Sequence, residues 1–273
     1  MDITIIKDII GRTDRYNFHS HSEFCDGRAP IASIAASAFK EGFEVWGVSP
    51  HSPICIDSPC NMLRVDIPHY FDTMGRLKEE YDGRMQLMTG LEIDFLGKDY
   101  GPHIDYFLEM PLDHRIGSVH FVPNQDGIPL DCDGSAERFA RYLHDGYRDD
   151  LRYVVEKYFE QVLTMLELGG FEILGHFDKI AGNASSVDPT IEDQTWYAAL
   201  VSDVIRLARD TGLVVEINTK AFKRQSRFYP AERWWPELIS TGIPFAVNSD
   251  CHHPDLTASG RSEALTAIGR IPR

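Results

Sequence analysis

Two histidines flank one serine in the segment HSHSEFCDG, residues 19–27. In extended backbone alternate side chains share a face, so His19 and His21 project together and Ser20 points away. Paired imidazoles suit zinc, iron or manganese. Near the other end of the chain, Asp250 and His252 in NSDCHH repeat the spacing. Between the two pairs lie His51 in VSPHS, Glu92 in GLEID, His120 in GSVHF and His176 in LGHFD. Any one of these is weak evidence. An HxH pair often arises from composition alone, and a single histidine at a strand end is more often an ordinary hydrogen-bonded residue. The weight lies in their joint placement beside two carboxylates. That is too many ligands for one ion, so a cluster of two or three metals with Glu92 as a bridge is expected. His69, His103, His114, His144 and His253 read as ordinary residues of helices or loops.

The elements that must position these side chains alternate regularly. Short apolar runs read as strands near 16–18, 45–49, 85–92, 115–119, 171–175, 213–218 and 244–249. They are continuous rather than alternating, as parallel strands covered on both faces require. Helical patterns separate them at 30–43, 68–82, 103–109, 135–168 with a break near Gly146, 193–211, 231–241 and 261–269. Strand and helix alternate over the whole length, which predicts a parallel α/β fold, closed as a barrel or open and doubly wound. Each candidate ligand falls at the carboxyl end of a strand. In a parallel barrel those ends share one face, and that face carries the active site. No linker or repeat is visible, so residues 1–273 read as a single domain.

Composition narrows the function. Of 273 residues, 43% are hydrophobic and 25% charged, which is ordinary for a globular chain. The net charge of -15 argues against a nucleic-acid surface. No run approaches the roughly 20 apolar residues of a membrane span, and the N-terminus lacks a signal-peptide pattern, so a cytoplasmic protein is expected. The five cysteines, Cys25, Cys55, Cys60, Cys132 and Cys251, are odd in number and form no CxxC zinc pattern. They are expected to be reduced thiols. Nothing in the sequence sets the oligomeric state.

Together HSHSEFCDG, GVSPHSP, GLEIDF, RIGSVHF, GGFEILGHFDK, VEINTKA, the Tyr229–Pro230 pair and VNSDCHHPD followed by GR resemble the polymerase and histidinol phosphatase (PHP) superfamily. Within it, they are most similar to the histidinol-phosphate phosphatases. The resemblance spans about Tyr16 to Arg261. It implies a distorted (β/α)7 barrel with two to three divalent transition metals, zinc, manganese or iron. His19, His21, Glu92 and Asp250 would hold one metal, Glu92, His120 and His176 a second, and Asp26, His51 and His252 the most exposed third. Pro50 departs from the pattern, since relatives often carry an acidic residue there. The implied reaction is hydrolysis of L-histidinol phosphate by a metal-bridging hydroxide, with Asp26, Glu92 and His252 as the catalytic set. The leaving oxygen would take its proton from Asp26 or from a water on the third metal. Arg115, Lys220 and Arg261 are motif-embedded cations expected to clamp phosphate. Other small phosphate esters, nucleotides included, are the alternative substrates.

Overall fold

A computed structural model describes residues 3–271. Among the described residues nine strands form: β1 Tyr16–Asn17, β2 Val45–Val48, β3 Gln86–Asp94, β4 His114–Ser118, β5 Phe121–Pro123, β6 Pro129–Asp131, β7 Ile173–Leu174, β8 Val214–Asn218 and β9 Phe245–Asn248. Seven are parallel neighbours in the order β1-β2-β3-β4-β7-β8-β9, while β5 and β6 pair as a separate antiparallel hairpin. The helices are α1 Thr4–Arg12, α2 Ile31–Lys40, α3 Ile67–Glu80, α4 Asp105–Leu108, α5 Ala136–Asp145, α6 Leu151–Leu168, α7 Ile180–Val187, α8 Thr195–Thr211, α9 Phe222–Gln225, α10 Trp235–Ser240 and α11 Arg261–Ile268. The architecture is the expected seven-stranded α/β barrel. Among the described residues, no helix is long and apolar enough to cross a membrane.

The barrel is nearly closed, and its seam differs from its ladders. Strands β1 and β9 are stitched mainly by side chains. Phe18 donates its N–H to Asn248 Oδ1 at 2.9 Å, Ser249 to Asn17 Oδ1 at 2.7 Å and Val247 to the Tyr16 hydroxyl at 3.2 Å. Beyond the strand ends a backbone bond resumes, from His21 N–H to the Cys251 carbonyl at 2.9 Å. The two segments with the HxH and DxH spacings are therefore adjacent.

Inside the barrel, Tyr16, Phe18, Val45, Met88, Ile116, Ile173, Val214 and Ala246 form a continuous apolar core. Ile6 and Ile9 of α1 plug its amino-terminal mouth. Each plug residue contributes roughly 1.5–3 kcal/mol of burial. His114, expected in a loop, opens β4 inside the barrel, and its Nε2 donates to the Phe18 carbonyl at 2.7 Å. Gly47 and Gly90 make room for this ring, since a Cβ at either would lie 2.8 or 2.3 Å from it. Outside, α2 and α3 bury an apolar stripe (Ile31, Ile34, Ala35, Ala38; Tyr70, Met74, Leu77) at helical spacing. Helices α6 and α8 cover the opposite side with Tyr158, Phe159, Tyr197 and Val201.

The predicted break near Gly146 is real. Helix α5 ends there, Arg148 and Asp149 adopt left-handed φ of 59° and 61°, and Asp150 caps α6 by accepting from Tyr153 N–H at 2.9 Å.

Candidate metal centre

The candidate ligands converge at the carboxyl ends of the strands. His19 and His21 leave β1 together, with Nε2 atoms 3.2 Å apart, while Ser20 turns away and donates to the Gly47 carbonyl at 2.8 Å. Glu92, on β3, lies between them and the neighbouring strands. Its Oε2 is 3.2 Å from His19 Nε2 and 2.9 Å from His51 Nδ1; its Oε1 is 2.8 Å from His176 Nε2 and 3.4 Å from His120 Nε2. Asp250 Oδ1 is 3.0 Å from His21 Nε2. At the open edge, His252 Nε2 is 3.2 Å from Asp26 Oδ1, and His51 Nε2 is 3.8 Å from the same oxygen. Asp250 holds a left-handed φ of 47°, a conformation rare outside glycine and common where a site fixes a side chain's aim.

Four sets of ligand atoms lie close enough to share an ion: His19, His21 and Glu92; His19, His176 and Asp250; His51, Glu92 and His120; and His21, Asp26, His51 and His252. Each set mixes nitrogen and oxygen donors, as zinc, iron and manganese accept. Unsatisfied atoms support the fit. Asp26 Oδ1, His51 Nδ1, Glu92 Oε2, His120 Nε2 and Asp250 Oδ1 are buried, and their close approaches to one another lack the angles of hydrogen bonds. Buried polar atoms are normally paired, so this cluster has the donor chemistry of a cation site.

The charges agree. Burial alone would raise the Glu92 and Asp250 carboxyls, but His19, His51 and His120 hold Glu92 well below the usual range, and Lys220, His19 and His21 do so for Asp250. Burial, with His252 and His51 nearby, holds the His21 imidazole well below its usual value. For His19 burial is outweighed by Glu216, Glu92 and Asp250, and the imidazole is raised. Burial also opposes charge on His120, yet Asp94 and Glu92 lift it to about 9.

Residues behind the ligands orient them. Glu216, on β8, accepts from His19 Nδ1 at 2.7 Å and from the His176 N–H at 3.0 Å. Asp94 accepts from His120 Nδ1 at 2.6 Å and from Asn61 at 2.8 Å. Asn218 bridges Glu216 and Asp250, at 3.1 Å to each. Carboxylates behind ligating histidines fix tautomer and ring orientation. Sequence reading passed over them, although Glu92/Asp94 and Glu216/Asn218 each show the i, i+2 spacing that picked out His19 and His21.

The expected phosphate cations divide. Lys220 is in the site, its Nζ 3.1 Å from His252 Nε2 and 3.5 Å from Asp250 Oδ1. Arg115 is not: its guanidinium donates to the carbonyls of Phe107, Leu108 and Met110, closing the end of α4. Arg261 is also elsewhere, stacked over Tyr16 and Phe43 and donating to the Asp14 carbonyl at 2.7 Å. Both arginines are structural, and their place in motifs misdirected the expectation. Asp178, two residues after His176, accepts from the Ala231 N–H at 2.8 Å and does not pair with Lys179. All five cysteines are free thiols. Cys25 lies 3.4 Å from His21 Nδ1, but burial pushes its thiol up to about 12, so the sulfur keeps its proton.

A pocket of about 390 Å³ opens over the centre, lined by Asp26, His51, His120, Asp133, Lys179, Lys220 and Tyr229 among others. The chain resembles, over 264 residues, a Deinococcus radiodurans protein assigned as a histidinol-phosphatase, at 27% identity covering 92% of this chain and 91% of that one. It is 23% identical to the histidinol-phosphatase of Bacillus subtilis, covering 86% and 92% of the two chains. In fold it matches a Listeria monocytogenes protein assigned as a histidinol phosphatase (TM-score 0.81, 21% identity, 91% and 99% covered). It also matches the Lactococcus lactis histidinol phosphate phosphatase solved with zinc, L-histidinol and phosphate (TM-score 0.73, 19% identity, 93% and 92% covered). Residues 17–220, most of the chain and all but two of the gathered candidate ligands, match the PHP domain model, and the chain belongs to the PHP family.

Proposed function

We propose that this chain is a metal-dependent phosphomonoesterase, formed as one domain, that hydrolyses L-histidinol phosphate to L-histidinol and phosphate. The observation that carries the reading is the convergence of His19, His21, Asp26, His51, Glu92, His120, His176, Asp250 and His252 in one cluster, of which Asp26, His51 and His120 line the pocket. The substrate follows from the relatives, whose names agree over nearly the whole chain. Metals bound there would supply water acidic enough to ionise near neutral pH and positive charge for phosphate oxygens.

The chain's own residues do the rest. Glu92 has both oxygens among imidazoles, so it would help hold the metals together with those histidines. Glu216 and Asp94 hold the His19 and His120 rings in place. Lys220, beside Asp250 and His252, is placed to take a phosphate oxygen. Asp26 lines the pocket with His252 beside it, and neither holds a proton firmly. Burial is outweighed for Asp26 by His252 and His51, which keep it a carboxylate; burial and Lys220 keep the His252 imidazole low. Both suit a ligand better than an acid, and pocket water is assigned the role of protonating the leaving oxygen.

Steady-state assays of zinc- and manganese-reconstituted protein test the reading. Histidinol phosphate should exceed p-nitrophenyl phosphate in kcat/KM by on the order of 100-fold or more, because only contacts felt in the transition state give such a ratio. Equal rates, or a preference for nucleoside phosphates, would leave the metal centre standing and remove the named substrate.

A further inference from the structure

Lys179 is a buried lysine for which the assigned chemistry has no use. Its side chain is 10% exposed, yet it lines the pocket above the centre. Its one ion-pair partner among the described residues is Asp133, at 2.8 Å. An ammonium has three donors, so this pair leaves donors for a ligand.

Both members of the pair are deliberately placed. Lys179 lies three residues after His176 and immediately precedes α7. Asp133 comes from the segment after the β5–β6 hairpin. On α7, Asn183 donates to the Cys132 and Gly134 carbonyls, at 2.9 Å each, and so clamps the backbone on both sides of Asp133. Burial opposes the Lys179 charge, but Asp133, Asp250 and Glu92 outweigh it, so the ammonium stays charged. The pair is only part-buried, with Asp133 32% exposed, and such a pair contributes little net stability. An ammonium beside bound cations would be costly unless an anion joined it. Lys220 stands by Asp250 and His252, and Lys179 and Lys220 both line the pocket.

We propose that Lys179 is a phosphate anchor of this site, held toward the pocket by Asp133 and completing with Lys220 a pair of ammonium groups around the substrate's phosphate. The inference rests on the phosphomonoester reading and adds to it the residue that reads the phosphate end.

Inorganic phosphate and L-histidinol, titrated separately into the zinc-loaded protein by calorimetry, test it without requiring turnover. In Lys179→Met the phosphate dissociation constant should rise on the order of 10- to 100-fold, the span of a hydrogen bond to a charged group. Histidinol affinity should stay within about threefold, and Lys179→Arg should recover most of the phosphate affinity. If Lys179→Met does not fold, Lys179→Gln carries the same measurement. Unchanged phosphate affinity, or equal weakening of both ligands, would overturn the assignment. The two readings fail separately. A protein that hydrolyses no phosphomonoester but binds phosphate through Lys179 removes the enzyme reading. One that turns over histidinol phosphate, with phosphate affinity unmoved by Lys179→Met, removes the anchor alone.

Discussion

The two mouths of the barrel are built from the same strands and closed by opposite chemistry. At the amino end, Ile6 and Ile9 of α1 press onto Tyr16, Phe18 and Ile116, and the closure is hydrocarbon throughout. At the carboxyl end the same strands run on into His19, His21, Glu92, His120 and Asp250, and the closure is imidazole and carboxylate with unpaired atoms. The first end can be satisfied by burial alone. The second is satisfied only when something charged joins it. Stability and function are thus divided along the barrel axis, as in parallel barrels generally.

Paired substitutions give the sharpest test of that division. Glu92→Gln keeps the shape and removes the shared charge, and should lower turnover by at least about 100-fold with loss of bound metal by elemental analysis. Ile9→Ala removes buried methyl groups from the plug and should cost about 2–5 kcal/mol in urea unfolding. Its turnover per folded molecule should stay within about twofold of the parent. An Ile9→Ala protein that lost turnover as deeply as Glu92→Gln would show that the two ends are not separable.

His114 sits between the two ends and tests where the polar chemistry stops. Its Nδ1 is buried without a hydrogen-bond partner, and burial holds the imidazole down to about 4. The unfolded chain takes up this proton near the ordinary value of about 6.5. Below that value the unfolded state binds more protons, so this histidine makes stability fall as pH drops from about 6.5 toward 4. Between pH 7 and pH 5 the cost is about 2 kcal/mol. His114→Gln keeps a donor for the Phe18 carbonyl and removes the titration. Urea unfolding at the two pH values should show the parent losing about 2 kcal/mol relative to the variant. A constant gap would mean that the ring is hydrated or metal-bound.

The same division governs what could be read from the chain. The seven barrel strands announced themselves because each is a continuous apolar run, and the candidate ligands because they follow those runs at period two or at the strand end. Helix α1 was hidden, since charges interrupt the pattern and its two inward residues, Ile6 and Ile9, look scattered. The β5–β6 hairpin, α7 and α9 are short, and local sequence gives short elements little periodicity to show. Glu216 and Asp94 were passed over because a carboxylate inside an apolar strand declares its role only through its partner's position. Arg115 and Arg261 failed the other way: a cation in a motif says that its position matters, not which way it faces.

His144 marks the boundary of the functional end. It lies on α5, exposed, with Nδ1 3.1 Å from Asp149, and it lines neither mouth. Exposed pairs of this kind contribute little, because water screens the charges and two side chains must be held still. His144→Ala should therefore leave metal content and turnover unchanged, and move stability by no more than about 0.5 kcal/mol. Elemental analysis, a steady-state assay and a urea melt on the one variant check all three. A loss of metal there would mean that the ligand cluster extends beyond the barrel mouth, and that the separation of the two ends is incomplete.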